Sequence, residues 1–156
     1  MEEKYLIMIK EERKDLLTSI IDINVPIISN LSNLSKVIYD TFQGTCWAGF
    51  YLCDPKNEIM YLGPFQGPVA CTSIKYQNGV CGACATTKKS IIVPDVHKFP
   101  GHIACYSLSN SEIVVPIIKD NIVLGIIDLD STNYNNYNQN DCELLEYLAD
   151  ILKDLF

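Results

Sequence analysis

The sequence predicts a domain of the α+β class, in which helices at both ends of the chain accompany a mostly antiparallel sheet. Apolar residues recur at helical spacing near both termini, and the middle of the chain contains two hairpin-like pairs of apolar segments. With 156 residues, we expect a single domain over residues 1–156. Because 48% of the residues are apolar and 20% are charged, a disordered chain and a coiled coil are excluded.

Three segments have the periodicity or capping signals of longer helices. The first is predicted over residues 2–22, and the second follows Pro26, where apolar side chains recur with a period of about 3.6. The last begins after Asn138, which is a suitable N-cap, and carries its apolar residues on one face. Helices therefore bracket the chain.

The first hairpin is predicted from residues 46–53 and 58–65, which are apolar and are separated by the turn sequence at 54–57. A strand near 69–75 follows it. The chain then reaches Gly79, where we expect a short helix to start.

The second hairpin is predicted from residues 113–118 and 122–129, which flank a turn at 119–121. Before it lies the segment 94–111, which has little periodicity and is rich in Pro, His, Ser and apolar residues. Long irregular segments in compact domains tend to carry function, so this loop is a candidate site.

The charge balance limits the partners that the chain can have. Twelve Lys and Arg against nineteen Asp and Glu give a net charge of −7, the wrong sign for gripping nucleic-acid phosphates or anionic lipid. No apolar run approaches about 18 residues, and the first residues are acidic where a signal peptide is basic. We therefore expect a cytoplasmic protein with neither a nucleic acid nor a membrane as its partner.

The chain has seven cysteines, an odd number, and no visible export signal, so a structural disulfide framework is a poor explanation. Cys46 and Cys53 bracket an apolar segment and have the character of packing residues, and Cys142 lies at the start of the last helix. The other four lie among Gly, His, Pro and Ser, where reactivity is more plausible. These are Cys71, Cys81, Cys84 and Cys105.

The spacing of Cys81, Cys84, His97 and His102 matches a Cys2His2 zinc finger. In a zinc finger both histidines belong to one helix, yet Pro100 lies between this pair and would break the helix. The acidic net charge also disfavours DNA. No metal is expected in a site of this kind.

Three thiols compete for a chemical role. Cys105 lies close in sequence to two histidines, and Cys81 lies near the start of the predicted short helix; both settings favour a thiolate. Cys71 is on a predicted strand and can meet Cys105 only through folding. From the residues alone, the alternative that all three are inert core thiols stays open.

The carboxylates give a clearer signal. Asp128 and Asp130 lie two apart in an otherwise apolar strand, so both project from one face, and Glu112 opens the strand before it. Three crowded acids repel one another, so one tends to keep its proton as a general acid. The alternative places Asp130 in a turn and Asp128 in solvent.

Two aromatic residues, Trp47 and Tyr51, lie four apart on the first predicted strand and so share a face. Aromatic residues on a strand most often belong to the core, but these could also form the wall of an apolar substrate pocket.

From about Trp47 to Asp130, ordered segments of the sequence resemble the free methionine-(R)-sulfoxide reductases, which are single-domain GAF proteins. The segments are Gly63-Pro64-Phe65-Gln66-Gly67, Ala70-Cys71, Gly79-Val80-Cys81-Gly82, Val93-Pro94-Asp95-Val96-His97, Phe99-Pro100-Gly101-His102-Ile103-Ala104-Cys105 and Ser109-Asn110-Ser111-Glu112-Ile113. The resemblance implies a GAF domain with a six-stranded, mostly antiparallel sheet and the terminal helices packed on one face.

The resemblance also implies roles for individual cysteines. Cys105 matches the catalytic cysteine that attacks the sulfoxide sulfur, Cys71 the resolving cysteine, and Cys81 an auxiliary partner in disulfide exchange. Cys84 departs from the family pattern, which leaves a Cys81–Cys84 or a Cys84–Cys105 bridge open.

The acidic and aromatic residues take the family's substrate-binding roles by the same resemblance. Glu112, Asp128 and Asp130 match the acids that hold the substrate, and Trp47 and Tyr51 match the aromatic side of the pocket. Of the acids, Asp130 is our choice as the proton donor, since a sulfoxide oxygen leaves only when it is protonated.

The implied reaction is reduction of free L-methionine-(R)-S-oxide through a cysteine sulfenic acid and an intramolecular disulfide. No bound cofactor is expected; thioredoxin, supplied by NADPH, would be the electron source and partner. Whether the chain forms a homodimer stays open. The alternatives are a GAF domain that binds a small ligand without turnover and a redox sensor that uses the same thiols.

Overall fold

The computed structural model describes residues 2–103, 105 and 107–156, and it describes side chains from Ile9 onward. The helices of this described part are α1 (Glu2–Ser19), α2 (Ile27–Thr41), α3 (Gly79–Thr87) and α4 (Gln139–Leu152). Its strands are β1 (Thr45–Asp54), β2 (Ile59–Gln66), β3 (Ser73–Lys75), β4 (Ile91–Val93), β5 (Ser111–Lys119) and β6 (Ile122–Ser131).

The strands form one six-stranded sheet in the order β3-β2-β1-β6-β5-β4. Every ladder in it is antiparallel, and the two hairpins β1–β2 and β5–β6 lie side by side through the β1–β6 pair. The prediction of an α+β domain with a six-stranded antiparallel sheet is confirmed.

Helices α2 and α4 pack against one face of the sheet, and α1 packs on α2 and α4 with Leu17 in the same core, so the terminal helices lie on one side as predicted. The apolar stripe of α2, with Leu31, Leu34 and Ile38, is buried there together with the inward residues of β1, β5 and β6. Within the described residues, no helix has both the length and the apolar composition needed to cross a membrane.

The start of α4 is fixed by reciprocal hydrogen bonds, so the predicted cap at Asn138 is confirmed. The Asn138 side chain accepts a hydrogen bond from the Asp141 backbone amide at 3.1 Å, and the Asp141 carboxylate accepts one from the Asn138 amide at 3.0 Å. The Arg13 guanidinium donates to the same carboxylate at 3.3 Å and so joins α1 to α4.

Three predicted boundaries differ from the structure. Helix α1 ends at Ser19 rather than at residue 22, because the Thr18 and Ser19 hydroxyls bond back to carbonyls of the last turn. Strand β3 begins only at Ser73, because the chain turns out of the sheet at Gly67, whose φ is +120°, and bonds to β2 again only from Thr72. Strand β4 was not predicted, because three residues are too few to show an alternating pattern.

Candidate active site

A row of residues across the sheet places the predicted acids beside the predicted aromatic wall. Asp130 of β6 lies opposite Trp47 of β1 on one side and opposite Glu112 of β5 on the other. Directly opposite residues of neighbouring strands share a face, and Asp128, two residues before Asp130, shares it too. This is the face away from the terminal helices.

The face forms the floor of a cavity with about 510 Å³ of unfilled space, counting the part that is open to solvent. Trp47, Tyr51 and the acids line the floor. The first turn of α3, residues 78–81, forms one side, and the loop that carries Cys105 forms another. The structure therefore brings together every residue that the sequence proposed for the site, apart from Cys71, which bonds to Cys105 in the cavity wall.

The aromatic wall is held in place by stacking and by two hydrogen bonds. The Trp47 ring stacks between Phe65 and Tyr51, with ring centroids 5.3 and 6.0 Å away. Its indole Nε1 donates to the Pro68 carbonyl at 3.0 Å, and the Tyr51 hydroxyl donates to the Cys71 carbonyl at 3.1 Å. The wall is therefore tied to the segment that carries one of the reactive thiols.

Close packing of this wall depends on Gly49 in β1. A Cβ atom at Gly49 would lie 2.4 Å from the Phe65 Cβ and 2.7 Å from Cη2 of Trp47, closer than van der Waals contact allows. Only glycine at this position lets Trp47 and Phe65 stack at their observed separation.

Cys71 and Cys105 form a disulfide bond, with their Cα atoms 5.5 Å apart. Cys71 lies between β2 and β3, and Cys105 lies in the loop before β5. The disulfide therefore joins segments that come from opposite edges of the sheet. The structure is thus that of the oxidised chain. Folding brings Cys71 and Cys105, which are 34 residues apart in the sequence, into contact. Neither Cys81 nor Cys84 is part of this bond, and both are free thiols.

Cys81 lies in the first turn of α3 and is only 4% exposed. Its Sγ is 4.0 Å from Oε1 of Glu112. Burial, reinforced by the carboxylates of Asp128 and Glu112, raises the pKa of Cys81 well above its usual value. The effect of burial and of the acids is larger than that of the helix N-terminus, which was expected to favour a thiolate. Cys81 is therefore a protonated thiol in the oxidised chain.

Cys84 is fully buried one helical turn further along α3 and does not line the cavity. Burial raises its pKa well above the usual value as well. The cysteine that departs from the family pattern therefore has the surroundings of a packing residue.

Glu112 and Asp128 are buried and Asp130 is partly buried, and no Lys or Arg is among the described residues that line the cavity beside them. Burial raises the pKa of Asp128 to about 6, and burial together with the nearby Asp128 raises the pKa of Glu112 and of Asp130 well above the usual range. At neutral pH, Asp128 is therefore mostly ionised, while Glu112 and Asp130 keep their protons to a higher pH than carboxyl groups in water do. A cavity with an ionised Asp128 and two carboxyl groups of raised pKa can both attract a cationic group and donate a proton.

Three polar residues of the cavity, Asn78, His102 and Ser109, were missed in the sequence analysis. The His102 side chain is 15% exposed, and its Nε2 lies 3.7 Å from Oε2 of Glu112; burial lowers its pKa, so the ring is neutral at pH 7. Ser109 is 4% exposed, and its Oγ makes no well-formed hydrogen bond. The position of His102 three residues before Cys105 was a usable signal, whereas nothing in the sequence marked Ser109.

One group of side chains in the cavity has the chemistry and spacing of metal ligands. A ligand atom from each of Cys81, Glu112 and Asp128 lies within 4.8 Å of the others, and all three residues are buried.

Comparison with known proteins places this fold and cavity in a family. The family model for the GAF domain matches residues 15–155. The chain is 48% identical to GAF domain-containing protein A of Dictyostelium discoideum, over 81% of this chain and 77% of that protein. It is 47% identical to the free methionine-R-sulfoxide reductase of Saccharomyces cerevisiae, over 80% of this chain and 73% of that protein.

A solved structure gives the same result in three dimensions. The free methionine-R-sulfoxide reductase of Neisseria meningitidis in complex with its substrate matches 95% of this chain and 86% of its own, with a TM-score of 0.84 and 37% identity. The chain therefore belongs to the free methionine-R-sulfoxide reductase family of GAF domain proteins.

Proposed function

We propose that this chain reduces free L-methionine-(R)-S-oxide to methionine. The observation that carries the proposal is the disulfide between Cys71 and Cys105 at a cavity whose floor holds aromatic residues and three acids. Two relatives with the same fold are named as reductases of this substrate. A redox-active pair next to proton donors has the parts that the reaction needs.

In the first step, the reduced Cys105 attacks the sulfoxide sulfur as a thiolate while Asp130 protonates the sulfoxide oxygen. The oxygen then moves to the Cys105 sulfur as the sulfur–oxygen bond and the newly formed sulfur–sulfur bond break, so Cys105 becomes a sulfenic acid and methionine leaves with its sulfur reduced by two electrons. The raised pKa of Asp130 supports its role as donor, because a general acid works best when its pKa is moved towards the operating pH.

In the second step, the Cys71 thiol attacks the sulfur of the Cys105 sulfenic acid. The disulfide forms and the oxygen leaves as water, which protects Cys105 from further oxidation. Cys81 serves as an auxiliary thiol that can exchange with the bond. Thioredoxin, a dithiol, then reduces the disulfide and is itself oxidised, with NADPH as the source of electrons. We also propose the cytoplasm as the location of the enzyme, because thioredoxin keeps thiols reduced there.

Specificity for the free amino acid follows from the charges in the cavity. The ionised Asp128, beside Glu112, attracts the α-ammonium group, which a methionine sulfoxide within a peptide lacks. Trp47 and Tyr51 provide the apolar surface for the methyl and methylene groups.

Stereospecific turnover tests the proposal. We expect NADPH consumption with thioredoxin, thioredoxin reductase and the free R sulfoxide, but not with the S epimer or with the N-acetylated R form. Cys105→Ser should abolish it, and Cys84→Ala should keep it. Absence of turnover with all three compounds, from folded and reduced protein, would reject the proposal.

The second candidate is a redox sensor, which the same Cys71–Cys105 disulfide favours. A sensor would form this bond on exposure to peroxide and would not produce methionine from the sulfoxide. Measuring methionine directly, alongside disulfide formation, separates the two functions.

A further inference from the structure

We propose that Cys81, Glu112 and Asp128 form a zinc-binding site to which the neighbouring His102 adds a fourth ligand, and that zinc bound there blocks the cavity. The set combines a thiol, an imidazole and two carboxyl groups, which are the ligand types of protein zinc sites.

The spacing of the donor atoms suits one small cation. The Cys81 Sγ is 4.0 Å from Oε1 of Glu112, and the His102 Nε2 is 3.7 Å from Oε2 of the same residue. In a tetrahedral zinc site, with zinc–sulfur and zinc–nitrogen or –oxygen bonds of about 2.3 and 2.0 Å, neighbouring donor atoms are separated by roughly 3.3–3.5 Å. Ligand atoms of Cys81, Glu112 and Asp128 lie within 4.8 Å of one another, so small side-chain rotations would bring these three to coordinating distance, and His102 lies beside Glu112 as the fourth donor.

A second observation, at Asp128, also favours a bound cation. Asp128 lines the cavity and is only 5% exposed. Its Oδ1 atom is buried and has no hydrogen-bond partner. No Lys or Arg is among the described residues that line the cavity. A buried carboxylate oxygen without a donor is costly, and a metal ion would satisfy it.

The site differs from the zinc finger that the sequence spacing suggested. Cys81 and His102 belong to both sets and line the cavity. His97, in contrast, is 56% exposed and its Nδ1 lies 2.9 Å from Asp95, while Cys84 is absent from the cavity wall. The proposed site therefore shares two residues with the zinc-finger spacing, and its other ligands are Glu112 of β5 and Asp128 of β6.

Zinc in this position would be inhibitory. It would occupy the carboxyl groups of Glu112 and Asp128 that we assign to the substrate's ammonium group, and it would hold the auxiliary thiol Cys81. The metal-binding claim stands without the proposed function, whereas the inhibition rests on it.

The binding experiment uses the disulfide form of the chain, in which Cys105 and Cys71 cannot act as ligands. Calorimetry should show one zinc ion bound per chain. With Co²⁺ as the probe, we expect the visible bands of tetrahedral cobalt and a thiolate-to-cobalt charge-transfer band in the near ultraviolet.

Matched variants identify the ligands. Cys81→Ser should remove the thiolate band, and Asp128→Asn should weaken zinc binding by about 100-fold or more, since even outer partners of a ligand are worth 10–100-fold. Cys84→Ala, on the same helix, should leave both measurements unchanged. Binding without a thiolate band in the unaltered chain, binding that Cys81→Ser leaves intact, or no binding at one ion per chain would each overturn the proposal.

The turnover experiment separates the two claims. Zinc should inhibit reduction of the free R sulfoxide competitively, with recovery on addition of a chelator and with the thioredoxin system alone as a control. Zinc binding in a chain without turnover would sustain the site and reject the proposed function. Turnover in a chain that binds no zinc would do the reverse.

Discussion

Glu112 and Asp130 are register partners across the β5–β6 ladder, so two carboxyl groups face each other on the buried side of the sheet. Two like charges directly opposite in a ladder destabilise it, and burial adds the cost of desolvation. The pKa of each group is raised, so the repulsion within the pair is relieved because these groups keep a proton to higher pH than carboxyl groups in water do. The sheet thus places two carboxyl groups of raised pKa at the point where the proposed reaction consumes a proton.

Replacing Asp130 by Asn removes the proposed proton donor while keeping the shape of the side chain. We expect kcat for the free R sulfoxide to fall by about 10²–10⁴-fold, the usual contribution of general acid catalysis, with a smaller change in KM. Glu112→Gln should instead act mainly on KM, because Glu112 is assigned to binding. Steady-state kinetics on both variants provides the check, and an Asp130→Asn enzyme that keeps the wild-type kcat would contradict the assignment.

The two disulfide cysteines should behave differently when only one turnover is allowed. Cys105→Ser should yield no methionine, because it lacks the nucleophile. Cys71→Ser should still release about one methionine per chain from the reduced protein, while its thioredoxin-coupled turnover falls. Quantifying methionine after a single turnover measures this difference. If Cys71→Ser also fails in the single turnover, or if Cys105→Ser succeeds, the roles are assigned incorrectly.

Asp128 should make the protein less stable as the pH rises. Its pKa is raised from 3.8 to about 6 on folding, so the folded chain binds the proton more tightly than the unfolded chain does. The corresponding stability, about 3 kcal/mol, is fully present below about pH 4 and is lost as the pH rises through about 6.

Asp128→Asn should therefore raise the free energy of unfolding at pH 8, by up to about 3 kcal/mol, and change it little at pH 4. Urea denaturation at the two pH values is the measurement. Asp15→Asn, at an exposed position on α1, is the matched control and should shift neither value. An unaltered pH dependence in Asp128→Asn would show that this carboxyl group ionises as it does in the unfolded chain.

Cys84→Ala should affect stability without affecting catalysis. The side chain is fully buried and does not line the cavity, so its loss should cost about 1–2 kcal/mol of unfolding free energy. Denaturation and steady-state turnover on the same preparation test both halves of this expectation. A fall in thioredoxin-coupled turnover would indicate that Cys84 takes part in disulfide exchange after all.

Much of the fold could be predicted from the sequence because its signals are local. The period of α2, the cap at Asn138 and the two hairpins each follow from residues close together in the chain. Strand β4 could not be predicted, because its three residues form a strand only by pairing with β5. The residue at which β3 begins, Ser73, is likewise determined by its pairing with β2.

The site shows the same division. Alternation along β6 was sufficient to place Asp128 and Asp130 on one face, and the contact of Glu112 with them followed from hairpin pairing. The electrostatic balance at Cys81 could not be predicted, because it depends on how deeply the fold buries α3 beside the acids. The unsatisfied hydroxyl of Ser109 has the same origin, since it results from packing of the loop over the sheet.

The Cys71–Cys105 bond reaches over the sheet from the β3 edge to the loop between β4 and β5, and it closes a loop of 34 residues. In the chain-entropy description, a crosslink of this span disfavours the unfolded chain by about 4 kcal/mol. Each catalytic cycle would then alternate between a tethered chain, waiting for reductant, and an untethered one that is ready for substrate. The resistance of this protein to heat or proteolysis would follow the supply of reductant, so its lifetime would be longest when its activity is lowest.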